Sequence, residues 1–181
     1  MGAFTYTLEH YNGAEEVVRV DGDAVGIGDG AFSRNPRLKA VYLPDSVTSM
    51  GRAVFSSCVH LEEVRMPAHL DHLGVSVFLG CRRLQAVQVP EGLVQLPSRT
   101  FSRCLRLEEL TLPEGLEVIG IHCFAHCENL RVVHLPSTLR RIERKAFLHC
   151  KNLMQLAYPP GMEYIAPDAF EGVGLQQPPC S

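Results

Sequence analysis

Leu38-Lys39-Ala40-Val41-Tyr42-Leu43-Pro44, followed at fixed distances by Val47, Met50, Gly51, Phe55 and Cys58, is the stretch that decides the fold, because its spacings recur along the chain. Stepping outward from Phe55 by 23 residues reaches Phe32 on one side and Phe78, Phe101, Phe124, Phe147 and Phe170 on the other, without insertion or deletion. The other apolar positions keep the same step. Leu38 returns as Leu61, Leu84, Leu107, Leu130 and Leu153, and Val41 returns as Val64, Val87, Leu110, Val133 and Leu156. Leu43 returns as Met66, Val89, Leu112, Leu135 and Tyr158, each followed at once by proline, from Pro44 to Pro159. Two further columns run from Val47 to Met162 and from Met50 to Ile165. Six complete units occupy 32–169. One such unit cannot bury its own apolar side, so neighbours must stack into a continuous core: the period predicts a repeat solenoid.

Within a unit, the Val-x-Leu segment before each proline is short, β-branched and alternating, which predicts a strand of about three to five residues. The proline has no N–H to give to a neighbouring strand and ends the pairing. The Ala-Phe segment, with Ala31, Ala146 and Ala169 before the ring, has room for one or two helical turns. Gly28, Gly51, Gly74 and Gly120 mark the bend leading into it. A unit is therefore expected to run strand, turn, extended return, helical turn, which places the chain in the α/β class.

The unit Leu-x-x-Val-x-Leu-Pro-x-x-Val-x-x-Met-Gly-x-x-x-Phe-x-x-Cys at 38–58 resembles the BspA-like, or Treponema-type, leucine-rich repeat. The resemblance extends over roughly 18–175, and its combination of Pro, Ala-Phe and Cys is specific. It implies a right-handed, curved leucine-rich-repeat array, with a parallel sheet on the concave side and short helical turns on the convex side. It also implies kinship with bacterial surface proteins, many of them implicated in adhesion.

The ends depart from the pattern. In 1–20, Phe4, Tyr6 and Leu8 alternate, Asn12-Gly13 is a strong two-residue turn, and Val18 and Val20 resume the strand columns. This predicts an N-terminal β-hairpin cap, covering an open strand edge that would otherwise invite aggregation. The array then spans 21–175, with partial units at both ends. The segment 176–181, with an exposed Cys180, is expected to be a disordered tail. Its weak cap allows a monomer or a weak homodimer through the C-terminal end.

Hydrophobic residues at 46% and charged residues at 20% suit a folded domain. A net charge of −3 sets up no global field for nucleic acid or an anionic membrane, so no nucleic-acid partner is expected. The apolar runs are only a few residues, against about 20 for a bilayer span, so no membrane insertion is expected. The first residues carry neither a basic region nor an apolar core of a signal peptide. The expected location is cytoplasmic if the chain is full length, and cell surface or secreted if a signal peptide was removed.

Five of seven cysteines, Cys58, Cys81, Cys104, Cys127 and Cys150, sit three residues after a repeat Phe. Such periodicity beside an apolar column predicts buried, reduced thiols. His122 and His126, four apart, and His149, one unit after His126, form the sharpest metal candidate. Arg99 and Lys145 fill the place of His122 in adjacent units, which favours a polar outer face instead, and no metal or other cofactor is expected. Ser33, Ser56 and Ser102 recur with the unit and form no nucleophile constellation. No enzymatic activity is expected.

Function should then lie in the strand residues that alternate with the buried columns. One such column is Ala40, Glu63, Ala86, Glu109, Val132 and Gln155; the other is Tyr42, Arg65, Gln88, Thr111, His134 and Ala157. Tyr42, Glu63, Arg65, Gln88, Glu109, Thr111 and His134 are the candidate contacts for a protein or peptide partner, since aromatic and arginine side chains supply much interface energy. A second, basic column holds Arg37, His60, Arg83 and Arg106, with Arg82 and Arg103 close by; stacked like charges are expected either to pair with the nearby Glu62, Glu63, Glu108 and Glu109 or to await an anion. The expected role is a non-catalytic interaction or scaffolding module. The alternatives are a surface adhesin fragment and a structural self-assembly domain.

Overall fold

A computed structural model of the chain describes residues 5–154 and 156–174. Fourteen short strands lie among them. The first seven are β1 (Tyr6–Leu8), β2 (Val17–Arg19), β3 (Ala24–Ile27), β4 (Ala40–Tyr42), β5 (Ser49–Met50), β6 (Glu63–Arg65) and β7 (His72–Leu73). The next seven are β8 (Ala86–Val87), β9 (Gln95–Leu96), β10 (Glu109–Thr111), β11 (Val118–Ile119), β12 (Val132–His134), β13 (Arg141–Ile142) and β14 (Tyr164–Ile165).

All pairing is parallel and advances by one unit per strand. The strands before the prolines form two sheets in one line, β2-β4-β6-β8 and β10-β12. The segment expected to be an extended return forms sheets of its own, β1-β3-β5-β7 and β14-β13-β11-β9. Register follows the repeat: Val41 faces Val64, and Ile119 faces Ile142. The chain is thus a parallel β-solenoid whose rungs carry strands on two sides.

The third side is built from turns, and no helix occurs among the described residues. The expected helical turns are corrected here by the hydrogen-bond pattern. Amides of Gly30, Phe32 and Arg34 donate to the carbonyls of Arg52, Val54 and Ser56 on the next rung, at 2.8–2.9 Å. The alternate amides of Ala31, Ser33 and Asn35 donate three residues back within their own rung. A helix would direct every amide along its own axis. The physical reason is spacing. Consecutive Phe rings stand only 5.1–5.5 Å apart, whereas a helix with its side chains is about 10 Å across. Helices in every unit could not stack at that pitch.

Reversing alternate amides needs left-handed residues at two corners of each turn. Ala53, Ser76, Arg99, His122 and Lys145 occupy one corner, and Arg34, Ser57, Arg103, His126 and His149 the other, with φ between 52° and 62°. Such φ values cost a non-glycine residue roughly 1 kcal/mol or more, and rung-to-rung bonding holds them. At the preceding bend the backbones approach so closely that a Cβ on Gly74 would run into the carbonyl of Gly51.

The N-terminal hairpin is also corrected. β1 pairs in parallel with β3, and β2 with β4, so the two segments never pair with each other. They form an irregular first rung instead, with Tyr11 against Phe32 at 5.1 Å in the place of the repeat ring. The exposed edges of β3 and β4 accept parallel strands in register with the stack, and that arrangement buries Val18. Phe4, Gln155 and the expected tail at 176–181 lie outside the described residues.

The core is the sum of the repeated columns. Phe32, Phe55, Phe78, Phe101, Phe124 and Phe147 are fully buried, as are Leu38, Leu61 and Leu84. The repeat cysteines are buried free thiols, as their column predicts. Each Sγ also donates to the carbonyl of the Phe one rung back, for example Cys58 to Phe32 at 3.0 Å and Cys127 to Phe101 at 3.0 Å. That carbonyl already accepts an amide of its own turn, so the thiol occupies its second lone pair. Burial pushes Cys58 up to about 11 and Cys150 up to about 12.

Truncation of a mid-array ring should show its weight: Phe101→Ala is expected to lower unfolding free energy by about 3–5 kcal/mol in denaturant titration. Unchanged stability would remove the Phe column from the core. Because a thiolate is the reactive form, the five repeat cysteines should resist alkylation in the native protein and react on unfolding. Rapid native labelling of Cys58 or Cys104, read by mass spectrometry, would contradict their burial.

Candidate interaction surface

Strands β6, β10 and β12 bury their central residue and turn the flanking ones outward, whereas in β4 Ala40 is buried beside Val41. Glu63, Arg65, Gln88, Glu109, Thr111 and His134 are exposed and Tyr42 is half-buried, while Val64, Leu110 and Val133 lie inside. The period-2 geometry of a strand accounts for this split.

Register assembles the candidate residues into two groups. Tyr42 faces Arg65 across β4 and β6, with Glu63 beside it, and the Tyr42 hydroxyl donates to Glu63 Oε2 at 3.4 Å. In β10 and β12, Thr111 faces His134, and His134 Nε2 lies 2.8 Å from Glu109 Oε1. Gln88 lies just beyond β8, outside any strand, and the two groups belong to separate sheets.

A residue missed in the sequence reading joins the first group. Arg19 of β2 places its guanidinium 4.3 Å from the centre of the Tyr42 ring, an attractive cation–π geometry. It falls on the irregular first rung, and the only signal for it was Val18 resuming the repeat's central strand column. At the strand ends, Arg65 and Gln88 line a hollow of about 320 Å³ together with Asp45, Met66 and Glu91. Among the described residues Arg65 forms no ion pair.

The second sheet is a further surface that the sequence reading left out. There Arg141 lies 4.7 Å from the centre of the Tyr164 ring and bonds Glu143. Val94 also stands open to solvent there, at 59% exposure.

The basic column pairs only in part. Arg83 reaches Glu62 at 3.8 Å. His60 Nδ1 lies 2.8 Å from the Pro36 carbonyl, and Arg37 and Arg106 form no ion pair among the described residues. His122 and His126 occupy opposite left-handed corners of one turn rather than one helix face. His126 and His149 pack at 5.2 Å between ring centres. No group of three or more His, Cys, Asp or Glu side chains among the described residues is arranged to hold a metal ion.

Several solved structures share this architecture. A leucine-rich cell surface protein from Faecalibacterium prausnitzii is 27% identical with a TM-score of 0.85, over 93% of this chain and 48% of that one. A leucine-rich repeat protein from Bacteroides ovatus is 29% identical with a TM-score of 0.83, over 88% of this chain and 42% of that one. The leucine-rich repeat protein of Treponema pallidum is 25% identical with a TM-score of 0.80, over 88% of this chain and 77% of that one. The chain therefore spans about half the length of the first of these, at 48%. No curated protein matches it. The BspA type leucine-rich repeat region matches with six copies over residues 16–131 and 49–176. On these repeats and this parallel solenoid, the chain belongs to the BspA-type leucine-rich repeat family.

Proposed function

We propose that this chain is a non-catalytic binding module that holds a protein or peptide on the face of its β2-β4-β6-β8 sheet and the neighbouring β10-β12 pair. The observation carrying this reading is the exposed Arg19, half-buried Tyr42 and exposed Arg65 set in register on three successive strands. Short parallel strands fix their spacing at about 4.8 Å per rung, so the group is organised before a partner arrives and loses little entropy on binding. Arg65 brings a guanidinium with no ion pair among the described residues beside an open hollow, the kind of anchor that dominates interface energy. A binding role is also supported by the state of the candidate nucleophiles. The repeat thiols are buried, and the Ser102 hydroxyl donates to the Ala125 carbonyl at 3.2 Å.

A second reading is favoured by one observation: the F. prausnitzii relative is a cell surface protein. In that reading the same sheet face is part of a surface adhesin and its partner is a host extracellular protein.

One experiment addresses both. The chain and a Tyr42→Ala, Arg65→Glu, Glu109→Arg variant, matched in circular dichroism and melting, are used as baits against a lysate of the source organism and against host extracellular proteins. The expected result is a partner retained by the parent chain and depleted at least tenfold by the variant, a loss of about 1.4 kcal/mol or more. The extract that supplies it separates intracellular scaffold from adhesin. Equal retention by both baits removes the sheet face as the site.

A further inference from the structure

The turn side carries a feature that partner binding on the sheets does not use. The left-handed corners of two successive turns bring Arg99, Arg103, His122 and His126 to one place. They line a cleft of about 490 Å³, with Arg82 at its edge and Val59, Leu79, Ala125 and Leu148 supplying apolar wall. No Asp or Glu lines it. Among the described residues Arg82, Arg99 and Arg103 take part in no ion pair.

The carboxylates nearby are already engaged. Glu128, which acts on His126, bonds Lys151 at 3.3 Å. Asp168, which acts on His122, bonds Arg144 at 3.4 Å, and Glu171 meets Lys145 at 3.6 Å. Three permanently charged guanidiniums thus share one concavity on a chain whose net charge is −3. Like charges on one turn and on the adjacent rung repel, and an anion between them relieves that repulsion. A guanidinium fork matches the oxygens of a tetrahedral oxyanion with two parallel donors. The volume falls within the range of small-ligand sites, about 300–1,000 Å³.

We propose that this cleft binds a small ligand bearing a phosphate or sulfate ester, gripped by Arg99 and Arg103 with Arg82 at the rim, its uncharged body resting on Leu79 and Leu148. The flanking histidines add a pH dependence. Desolvation first, then Arg99, Lys145 and His126, hold His122 below the usual histidine range against the opposite pull of Asp168. Desolvation first, then His149, Arg103 and Lys151, do the same to His126 against Glu128. A bound anion favours their protonated forms, so affinity rises as pH falls.

The test is calorimetric titration with p-nitrophenyl phosphate and p-nitrophenyl sulfate, which carry either oxyanion on the same apolar body. The variant is Arg99→Ser with Arg103→Ser. Ser76, one unit earlier, and Ser57, two units earlier, occupy the same two left-handed corners, so the fold accepts serine at both. Saturable binding of one or both probes, weakened at least tenfold in the variant and within twofold of the parent in Arg131→Gln, is the expected result. Affinity should rise as pH falls through and below the usual histidine value of about 6.5, because both histidines are held below it in the free protein. Heat with one probe only identifies which ester is recognised. Absence of saturable heat with both probes overturns the proposal, as does equal binding by the serine variant. Binding of a single-stranded oligonucleotide with neither small probe also overturns it, in favour of a polyanion-binding surface.

Discussion

Backbone hydrogen bonds link rung to rung on all three sides of the solenoid, interrupted in the sheets between β8 and β10 and between β7 and β9, and that coupling governs the rest of the structure. On two sides it makes parallel sheets. On the third it links turn to turn, as from Phe32 to Val54 and from Phe55 to Val77 at 2.9 Å. A fixed pitch follows all the way round. Side chains that can stack at about 5 Å are then favoured inside, which suits flat aromatic rings, and the Phe column stacks with interplanar angles of 6–22°. Such rings add offset-stacking attraction to their burial.

The same pitch explains features that look unrelated. Helices are excluded from the turns because they are too wide. Left-handed backbone is accepted at arginine, histidine and serine because alternate amides must reach the neighbouring rung. Cysteine three residues after Phe is small enough to remain inside while its thiol meets a carbonyl of the previous rung. Asn129 and Asn152, on the exposed side of the turn exit, do the equivalent work with side-chain amides, each donating at 2.8 Å to a carbonyl 24 residues earlier.

Function is left to positions that the pitch does not constrain. On the sheet face these are paired within themselves, through Tyr42 with Glu63 and His134 with Glu109. Such exposed pairs are worth little to stability, about 0–1 kcal/mol, so a partner can replace them at small cost. On the turn side Arg99 and Arg103 have no such partner among the described residues. The two surfaces therefore differ in chemistry: one is a mixed face, paired within itself apart from Arg65, the other a cationic concavity.

The sequence by itself determined the period, the seven-ring Phe column, the apolar columns and the burial of the repeat cysteines, because each depends on residue type at a fixed spacing. It also separated the inward from the outward residues of β6, β10 and β12, since strand alternation is a local property, but not those of β4, where Ala40 is buried. It could not decide the conformation of the segments between. Ala-Phe with flanking polar residues suits a helical turn in isolation, and Tyr6–Leu8 with Asn12-Gly13 suits a hairpin. Both local preferences lost to the edge of the next rung, whose unpaired amides and carbonyls take parallel partners at one pitch. Only the tertiary structure made that choice. With it came the second sheet, the place of Arg19 over Tyr42, and the meeting of Arg99 with Arg103 across one turn.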